Sequence, residues 1–364
     1  MIKMLDLIQE YQNLSPQITS AVNQVLASGR FIGGPEVSSL EAELSEFLGG
    51  GQVVSVASGT DALILSLRAL GIGPGDQVIT TPFTFIATIE AIEQVGAQPV
   101  LVDIDPVSFN INPRAVADAL TPNTRALLPV HLYGNPAPMP ELMEIAQKEG
   151  LLVVEDAAQA IGARLDNIAT GRWGQIGAFS LYPTKNLGAY GDGGFVVCQS
   201  PELAERVRAL ANHGSLTSYD HRFRLGTTSR LDALQAAILR TKLPWLDQWN
   251  RRRREIARFY RDRLSAWVQT PEENPDSYHV FHQYTVRTPK RLELARYLQS
   301  QEIQSAVYYA RPVHLQPAYT HLAPAGSLSQ AEKAAQEVLS IPIHPFLSDD
   351  EVDRVAQVIK EFFL

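Results

Sequence analysis

The sequence predicts an α/β fold in which a mostly parallel, seven-stranded sheet forms a large domain and a smaller α+β domain follows. Short apolar runs alternate with helical segments from about residue 50 to 200. Glycine follows two of those helical segments, and the pattern changes after Arg230, where longer helical segments dominate. Such alternation is typical of helices that cover both faces of a parallel sheet.

Seven apolar runs are the predicted strands of the large domain. Each is four or five residues long and is bounded by Gly, Pro, Asp or Asn. Short and mostly uniform apolar runs indicate strands that are buried on both faces. The runs cover residues 52–56, 77–80, 99–103, 126–130, 151–155, 178–181 and 194–197.

Helical spacing of apolar residues predicts helices between the strands, such as residues 61–70 and 84–95. Gly71 and Gly96 directly follow these two segments, as glycine does at a helix C-terminus. Further along the chain, a helix is predicted over residues 231–243. Pro244 can begin a second helix, because proline fits the first turn, and this helix continues to about residue 267.

The remaining segments form the predicted second domain. They comprise a strand-like run at 279–287, a helix at 291–301, an apolar run at 303–309, and helices at 329–339 and 349–362. The large domain is therefore placed at residues 1–244, and the linker helix with the small domain at residues 245–364.

Composition excludes several classes of function. The chain has 364 residues, of which 45% are hydrophobic, and a formal net charge of −8. This charge argues against nucleic acid or an anionic membrane as a partner. No apolar run reaches the roughly 20 residues of a membrane span, and no signal peptide is evident. Scattered histidines and the single Cys198, in an apolar run, favour a cytoplasmic protein without a metal site or internal disulfide.

Lys185 is the first candidate catalytic residue. It lies in the stretch SLYPTKNLG (180–188), which YGDGG (190–194) follows. A proline turn and a glycine-rich loop hold it beside predicted buried strands, where its amine could form a Schiff base with a carbonyl cofactor. A solvated loop lysine is the alternative, and two upstream signals decide against it.

The first upstream signal is Ser58, Gly59 and Thr60, between a predicted strand and a helix. A helix N-terminus binds phosphate readily, although a plain N-cap is the alternative.

The second upstream signal is Asp156, at the end of strand 151–155, where open α/β sheets place ligands. It could pair with a protonated pyridine nitrogen or merely cap a helix. A phosphate cradle, a pyridinium partner and a Schiff-base lysine together fit pyridoxal 5'-phosphate.

An ordered set of motifs resembles the DegT-like nucleotide-sugar aminotransferases, which have the aspartate-aminotransferase fold, type I of the pyridoxal phosphate-dependent transferases. The resemblance covers essentially the whole chain. The matching stretches are ASGTDA (57–62), GIGPGD (71–76), TPFTFIAT (81–88), VDID (102–105), PVHLYG (129–134), EDAAQ (155–159), FSLYPTKNLG (179–188), SRLDALQAA (229–237) and IP (341–342).

The resemblance implies a role for each cofactor residue. Lys185 binds pyridoxal 5'-phosphate covalently and shuttles a proton, and Asp156 binds the pyridine nitrogen. Gln159 lies near the phenolic oxygen of the ring or packs beside it. Phe85 stacks on the ring face, with core packing as the alternative. The phosphate is expected to contact Gly59, Thr60 and Ser180. For Ser180 the alternative is that its hydroxyl only forms a hydrogen bond with the backbone of the strand.

One position departs from the family pattern. The stretch GTTSR (226–230) has Thr228 where many members carry an asparagine that reaches the phosphate of the neighbouring subunit. The shorter threonine hydroxyl could still donate to phosphate. Candidate substrate contacts, each with loop packing as its alternative, are Phe31, Ile32, Gly34, Tyr190, Tyr308 and His314.

The resemblance also implies an activity. An amino group passes from a donor, expected to be L-glutamate, to the keto group of a nucleotide-linked deoxysugar, in a homodimer with shared active sites. The stretch YDHRFRLGTTS (219–229) slightly favours amination at C3 over C4. The nucleotide, the sugar and the pathway stay open. Three alternatives remain: a sugar dehydratase of the same family, a regulator that binds the cofactor or a sugar nucleotide, and a cysteine desulfurase.

Overall fold

The computed structural model describes residues 1–217, 219–324 and 326–364. Its helices are α1 (Leu7–Ser28), α2 (Pro35–Phe47), α3 (Gly59–Ala69), α4 (Ala87–Gln94), α5 (Pro113–Asp118), α6 (Met139–Glu149), α7 (Pro201–Leu210), α8 (Ala233–Lys242), α9 (Leu246–Leu264), α10 (Arg291–Ser300), α11 (Ser329–Glu337) and α12 (Asp349–Phe363). Its strands are β1 (Gln52–Val56), β2 (Gln77–Thr80), β3 (Gln98–Leu101), β4 (Thr124–Leu127), β5 (Leu152–Asp156), β6 (Arg164–Leu165), β7 (Ile168–Ala169), β8 (Ile176–Ser180), β9 (Gly194–Cys198), β10 (Ser215–Thr217), β11 (Asp220–His221), β12 (Ser277–Tyr278), β13 (Tyr284–Arg287) and β14 (Val338–Ile341).

The central sheet has seven strands in the order β1-β9-β8-β5-β4-β2-β3. Neighbours from β8 to β3 pair in parallel, whereas β9 runs antiparallel to both β8 and β1. Six of the strands therefore point the same way, and their carboxyl ends lie along one edge. The predicted α/β fold with a mostly parallel seven-stranded sheet is confirmed.

The seven predicted strands correspond to the seven strands of this sheet. The bounds of β1 and β2 agree with the prediction, and the other five strands begin or end within three residues of it. Helices α3 and α4 also form as predicted, and Gly71 and Gly96 follow them with φ of 78° and 82°. Those angles lie in the left-handed region, which glycine adopts without a Cβ clash.

No element was predicted before residue 52, yet α1 and α2 occupy most of that segment. Leu14 and Ile18 of α1 are buried against Ile238 of α8 and Trp249 of α9. Apolar residues of α1 recur at helical spacing, as Leu14, Ile18 and Val25 show, but Pro16 lies inside the helix and disfavours a helix from sequence alone.

The chain after residue 245 builds a second hydrophobic core. Most of its fully buried members come from α9, α10, α12, β13 and β14, and Phe281 comes from the loop before β13. Strand β13 pairs antiparallel with β14, so the predicted helix at 329–339 is wrong at its end, because the last residues of that segment join the sheet. The predicted strand-like run at 279–287 is extended as a strand only from Tyr284. The boundary at 244/245 stays a prediction.

None of the helices in the described part of the chain combines the length and the apolar character that crossing a membrane would need.

Candidate active site

A cavity of about 560 Å³ lies at the edge of the sheet where β1, β5 and β8 end and β9 begins. Eight predicted site residues contribute to its wall. They are Gly59, Thr60, Phe85, Asp156, Gln159, Ser180, Lys185 and Tyr308. The sheet topology explains why residues distant in sequence meet here, because the parallel strands deliver their carboxyl ends to one edge.

The N-terminus of α3 forms one wall of the cavity. Ser58 caps the helix, and its Oγ accepts a hydrogen bond of 3.0 Å from Asp61 N–H. Among the described residues, no group accepts from the N–H of Gly59 or Thr60. These two donors and the positive end of the helix dipole are therefore available to an anion in the cavity.

Gly59 and Ser180 approach so closely that only glycine fits at position 59. A Cβ on Gly59 would lie 2.7 Å from the Cβ of Ser180. Ser180 ends β8, and its Oγ accepts a weak hydrogen bond of 3.3 Å from Tyr182 N–H. The missing side chain at Gly59 therefore brings the Ser180 hydroxyl next to the free N–H groups of α3.

Asp156 ends β5 and is buried, with 6% of its surface exposed. Its Oδ2 accepts a hydrogen bond of 2.8 Å from the Thr88 hydroxyl, and its Oδ1 accepts one of 3.1 Å from Ala158 N–H. Burial raises the pKa of Asp156, while the bonds from Thr88 and Ala158 and the charge of Lys185 oppose the rise. The two hydrogen bonds fix the orientation of the carboxyl and leave lone pairs free for a third donor.

The side chain of the neighbouring Glu155 lies on the other face of the strand. It is wholly buried and accepts hydrogen bonds from the N–H groups of Gly171 (2.7 Å), Trp173 (2.7 Å) and Gly174 (2.8 Å). Nε2 of His131 lies 2.9 Å from the same carboxylate. Glu155 therefore holds the loop behind the sheet, whereas Asp156 faces the cavity.

Lys185 lies in a tight turn that brings its side chain into the cavity. Its backbone N–H donates to Tyr182 O at 2.8 Å, and a Cβ on Gly188 would lie 2.4 Å from Pro183 O. Burial lowers the pKa of Lys185 to about 8, and the charge of Asp156 opposes that shift. Within residues 1–217, 219–324 and 326–364, Nζ has no hydrogen-bond partner, so the amine is free to react.

Gln159 and Phe85 complete the predicted wall. Oε1 of Gln159 accepts a bond of 2.7 Å from Tyr133 N–H, and its Nε2 donates to the Tyr309 hydroxyl at 3.1 Å. Phe85 is 57% exposed, and its ring centroid lies 6.4 Å from that of Tyr309. The alternative that Phe85 packs in the core is therefore wrong, and its ring face is available to a planar ligand.

Two predicted substrate contacts lie away from the cavity. His314 is wholly buried, with Nε2 at 3.0 Å from Oε1 of Glu332. Tyr190 packs beside Tyr11, with Lys242 Nζ 4.8 Å from its ring centroid. Both side chains therefore lie outside the cavity in the single chain, and their proposed contacts to substrate stay predictions.

Four other predicted residues lie on the surface of the single chain, outside the cavity. Phe31 and Ile32 are 45% and 53% exposed, close to Gly34 at the start of α2. Thr228 is exposed too, and its Oγ1 lies 2.6 Å from Nε2 of His213. Their proposed contacts would require a second subunit, and they stay predictions.

The cavity also has walls that were not predicted. Thr88, Tyr309, His282 and Asp192 contribute to it. Thr84 and Thr88 are four residues apart, and their hydroxyls lie 2.9 Å from each other, a helical spacing that could have indicated a shared face. His282 carries no such signal, because it lies in a loop before β13.

The residues fit pyridoxal 5'-phosphate on structural grounds. The free N–H groups of Gly59 and Thr60 with the Ser180 hydroxyl suit a phosphate, and a Cβ at Gly59 would close that space. Asp156 offers an oriented acceptor to a ring nitrogen, and Lys185 offers an unpaired amine. A fold and a site of this kind define the class of pyridoxal phosphate-dependent aminotransferases.

The chain belongs to the DegT/DnrJ/EryC1/StrS aminotransferase family, whose sequence profile matches residues 12–360. Two solved structures share the fold along almost the whole chain. S. venezuelae DesV, in complex with a ketimine intermediate, has a TM-score of 0.97 and 46% identity, covering 99% of this chain and 98% of DesV. NtdA of Bacillus subtilis, with bound cofactor PMP, has a TM-score of 0.91 and 32% identity, covering 96% and 82%. The predicted family and the predicted type of fold are confirmed.

Three curated relatives are similar over nearly their full lengths. The pleiotropic regulatory protein of Geobacillus stearothermophilus is 47% identical and covers 100% of this chain and 98% of the relative. The dTDP-3-amino-3,4,6-trideoxy-alpha-D-glucose transaminase of Streptomyces venezuelae is 46% identical, covering 99% and 96%. The UDP-N-acetyl-3-dehydro-alpha-D-glucosamine 3-aminotransferase of Acidithiobacillus ferrooxidans is 45% identical, covering 99% and 97%.

Proposed function

We propose that this aminotransferase moves an amino group onto C3 of a nucleotide-linked 3-keto sugar. The observation that carries the proposal is the meeting of Lys185, Asp156 and the α3 N-terminus in one cavity. Amino transfer by pyridoxal 5'-phosphate requires a reactive lysine, an aspartate and free N–H groups at a helix N-terminus.

Three parts of the site would hold the cofactor. Lys185 would bind its aldehyde carbon, Asp156 its ring nitrogen, and the α3 N-terminus with Ser180 its phosphate. When bound, pyridoxal 5'-phosphate supplies a carbon that takes up the amino group and a ring that withdraws electrons from the reacting carbon.

Lys185 is suited to move a proton at Nζ. A pKa of about 8 leaves part of the amine unprotonated near neutral pH, so it can accept a proton and return it. An exposed lysine with its ordinary pKa would be almost fully protonated and could not act as a base.

Asp156 would keep the ring nitrogen of the cofactor protonated by accepting its hydrogen bond. The hydrogen bonds from Thr88 and Ala158 hold the carboxyl in one orientation, so little reorganisation is needed when a ligand arrives. A positive ring nitrogen also favours the ionised carboxylate and offsets the effect of burial.

The substrate class follows from the relatives. The names of two of them specify amination at C3, one on a dTDP sugar and the other on a UDP sugar. Because their nucleotides differ at nearly equal identity, we assign the class of nucleotide-linked 3-keto sugars without choosing one nucleotide. Tyr308, in the cavity wall, is the proposed contact to the sugar within the same chain.

Across a homodimer, a second set of contacts would complete the site. Phe31, Ile32 and Gly34 would approach the substrate of the partner subunit, and Thr228 its phosphate. Their exposure on the single chain supports this arrangement.

Two measurements test the proposal. Purified protein loaded with pyridoxal phosphate is mixed with L-glutamate, the expected donor, and should release 2-oxoglutarate. A panel of 3-keto and 4-keto sugar nucleotides is then added, and NMR identifies the amino sugar. Amination of 4-keto sugars alone would contradict the C3 assignment.

The second candidate is a regulator, which the 47% identical pleiotropic regulatory protein favours. A regulator could bind the cofactor or a sugar nucleotide without turnover. The glutamate half-reaction separates the two candidates, because a regulator would release no 2-oxoglutarate. The free Nζ of Lys185 supports turnover.

The other two alternatives have less support. The sugar dehydratases carry a histidine where this chain has Lys185. A desulfurase needs a mobile, reactive thiol, but Cys198 is wholly buried in β9, and burial raises the pKa of its thiol to about 12.

A further inference from the structure

A buried lysine of α8 contacts the turn that carries Lys185. Lys242, the last residue of α8, is wholly buried, and its Nζ donates a hydrogen bond to the carbonyl oxygen of Gly188. Among the described residues, no other group donates to this oxygen. Gly188 is itself buried and lies three residues after Lys185. The ammonium of Lys242 therefore satisfies a carbonyl that the fold removes from water.

Gly188 lies where the two legs of this turn meet. Ala189 N–H donates to Leu181 O at 2.7 Å, and Lys185 lies between these two residues in the chain. A Cβ at Gly188 would lie 2.4 Å from Pro183 O, so the second leg of the turn passes directly against the first. A displacement of Gly188 would therefore move the backbone that holds Lys185.

Helix α8 contacts the second leg of the turn at two points. Gln235 Oε1 accepts a hydrogen bond of 2.8 Å from Tyr190 N–H, and Lys242 donates to Gly188 O. Gln235 and Lys242 are seven residues apart, a spacing that places both side chains on one face of the helix. Two polar side chains on this face therefore hold the segment that follows Lys185.

Glu10 of α1 is the partner of the buried ammonium. Its Oε1 lies 2.5 Å from Lys242 Nζ, and the ring centroid of Tyr190 lies 4.8 Å from the same nitrogen. Burial lowers the pKa of Lys242, whereas the charge of Glu10 and its hydrogen bond oppose that shift. The buried guanidinium of Arg253 also interacts with the charge of Glu10. An apolar residue in place of Lys242 would avoid the cost of burying a charge, but it would leave Gly188 O without a donor.

The influence of Lys242 on Lys185 runs through the backbone. Burial and the charge of Asp156 account for the pKa of Lys185, so the charge of Lys242 does not act on it directly. The connection between the two lysines is the chain from Lys185 to Gly188, whose far end Lys242 holds.

We propose that Lys242 is a positioning residue for amino transfer, because its bond to Gly188 O fixes the turn that holds the Lys185 amine in the cavity. Glu10 offsets the cost of burying the charge of Lys242. Helix α1 thus supports the active site through Glu10, although Glu10 does not line the cavity. The inference rests on the proposed function, since it assumes that Lys185 is the reacting amine.

Four variants separate the hydrogen bond to Gly188 from the ion pair. Lys242→Met removes the ammonium and keeps an unbranched apolar side chain, but it leaves Glu10 buried without its partner. The double variant Glu10→Gln/Lys242→Met removes that unpaired charge as well. Glu10→Gln alone leaves an amine that carries hydrogens for Gly188 O, whether or not it is protonated. Arg287→Met breaks a largely buried ion pair of 2.5 Å with Glu337 and is the matched control for lost stability.

The measurement is the pH dependence of Lys185 labelling by acetic anhydride in cofactor-free protein, read by mass spectrometry, together with the melting temperature of each variant. The midpoint of the parent protein is expected at about 8. Lys242→Met and the double variant should both raise it by about one pH unit, because a displaced turn exposes the amine to water. The double variant should also recover melting temperature that Lys242→Met loses. Glu10→Gln and Arg287→Met should keep the midpoint of the parent.

A parent midpoint in the double variant would overturn the proposal, because Lys242 would then act through the ion pair alone. An unchanged midpoint in Lys242→Met would overturn it too, and if that variant does not fold, the double variant decides. A shift of equal size in Glu10→Gln or in Arg287→Met would assign the effect to lost charge pairing or to lost stability, against the proposal. Labelling needs no cofactor, glutamate or sugar, so failure of the proposed function would appear separately, as a parent protein that labels normally but transfers no amine.

Discussion

At the scale of single residues, burial moves the pKa values of Lys185 and Asp156 toward each other. The pKa of the lysine falls to about 8 and that of the aspartate rises. The charge of each residue opposes the pKa shift of the other. Both pKa values therefore respond to any group that binds between the two side chains. This sensitivity is useful in a site where a proton has to be taken up and returned.

Replacement of the reacting amine is the most direct test at this scale. Lys185→Ala should lower turnover by at least about 10²–10⁴-fold, because the base that moves the proton is lost. The visible absorbance that borohydride traps should also vanish, while the melting temperature stays unchanged.

Lys148→Ala is the matched control for this change. Lys148 lies on α6, and its side chain is 80% exposed. Its removal should change neither turnover nor absorbance. A Lys185→Ala protein with normal turnover would contradict the assignment of the catalytic amine.

The pH dependence of cofactor capture follows from the lowered pKa of Lys185. Only the unprotonated amine attacks an aldehyde, so the rate at which cofactor-free protein captures pyridoxal phosphate should rise with pH and level off above about 8. Stopped-flow absorbance measures this rate. A midpoint near the ordinary lysine value of about 10.4 would mean that the amine is solvated.

At the scale of elements, the start of α3 depends on one missing side chain. Gly59→Ala would place a Cβ 2.7 Å from the Cβ of Ser180. We expect the Kd for pyridoxal phosphate to rise about tenfold or more, as overpacking of 1–3 kcal/mol implies. Equilibrium titration of cofactor-free protein measures the change.

Gly73→Ala serves as the control for that variant. A Cβ there would meet only Val95 O at 3.6 Å, an ordinary contact. Its cofactor affinity should match that of the parent protein. Equal affinities for Gly59→Ala and the parent would show that the phosphate lies elsewhere.

The elements that the sequence predicted well are those whose state depends on local pattern. The buried strands and helices α3 and α4 carry apolar runs, helical spacing and terminal glycines of their own. Residues 338 and 339, the start of β14, were taken into a helix, because their state depends on pairing with β13, far away in sequence. Helix α1 was missed although it carries apolar residues at helical spacing, because Pro16 inside the segment argues against a helix and packing against α8 compensates for it.

The part of the candidate site that could be predicted from the sequence is the part formed by residues at the ends of strands. Asp156, Ser180 and the α3 start follow directly from the order of strands and helices. His282 was missed because only the folded chain brings its loop to Asn186. Tyr190 was placed at the site for its nearness to Lys185, but in the single chain its ring packs against Tyr11 of α1, outside the cavity.

At the scale of the whole molecule, large apolar side chains on the surface support the proposed homodimer. Phe31, Ile32, Tyr182 and Leu225 are 45%, 53%, 51% and 74% exposed. A contiguous apolar patch is typical of a surface that a partner covers, and Phe31 and Ile32 are adjacent in the chain. Sedimentation at micromolar concentration should give a dimer.

Shared active sites predict complementation between two inactive proteins. Thr228→Asp should weaken cofactor binding, because a carboxylate at this exposed position would repel the phosphate of the partner subunit. Mixed and re-associated with Lys185→Ala, it should recover roughly a quarter of the parent activity, since half of the dimers then carry one intact site of two. No recovery in exchanged dimers would show that each chain completes its own site.

The opposite orientation of Glu155 and Asp156 has a consequence for how this protein can change in evolution. Adjacent strand residues point to opposite faces, so adding or deleting a single codon within β5 would exchange the two acids. The N–H groups of Gly171, Trp173 and Gly174 would then lose the Glu155 carboxylate that accepts their hydrogen bonds. The cavity would lose the Asp156 carboxyl at the same time. Length variation between homologues should therefore spare this strand and accumulate in exposed connections such as residues 121–123, between α5 and β4.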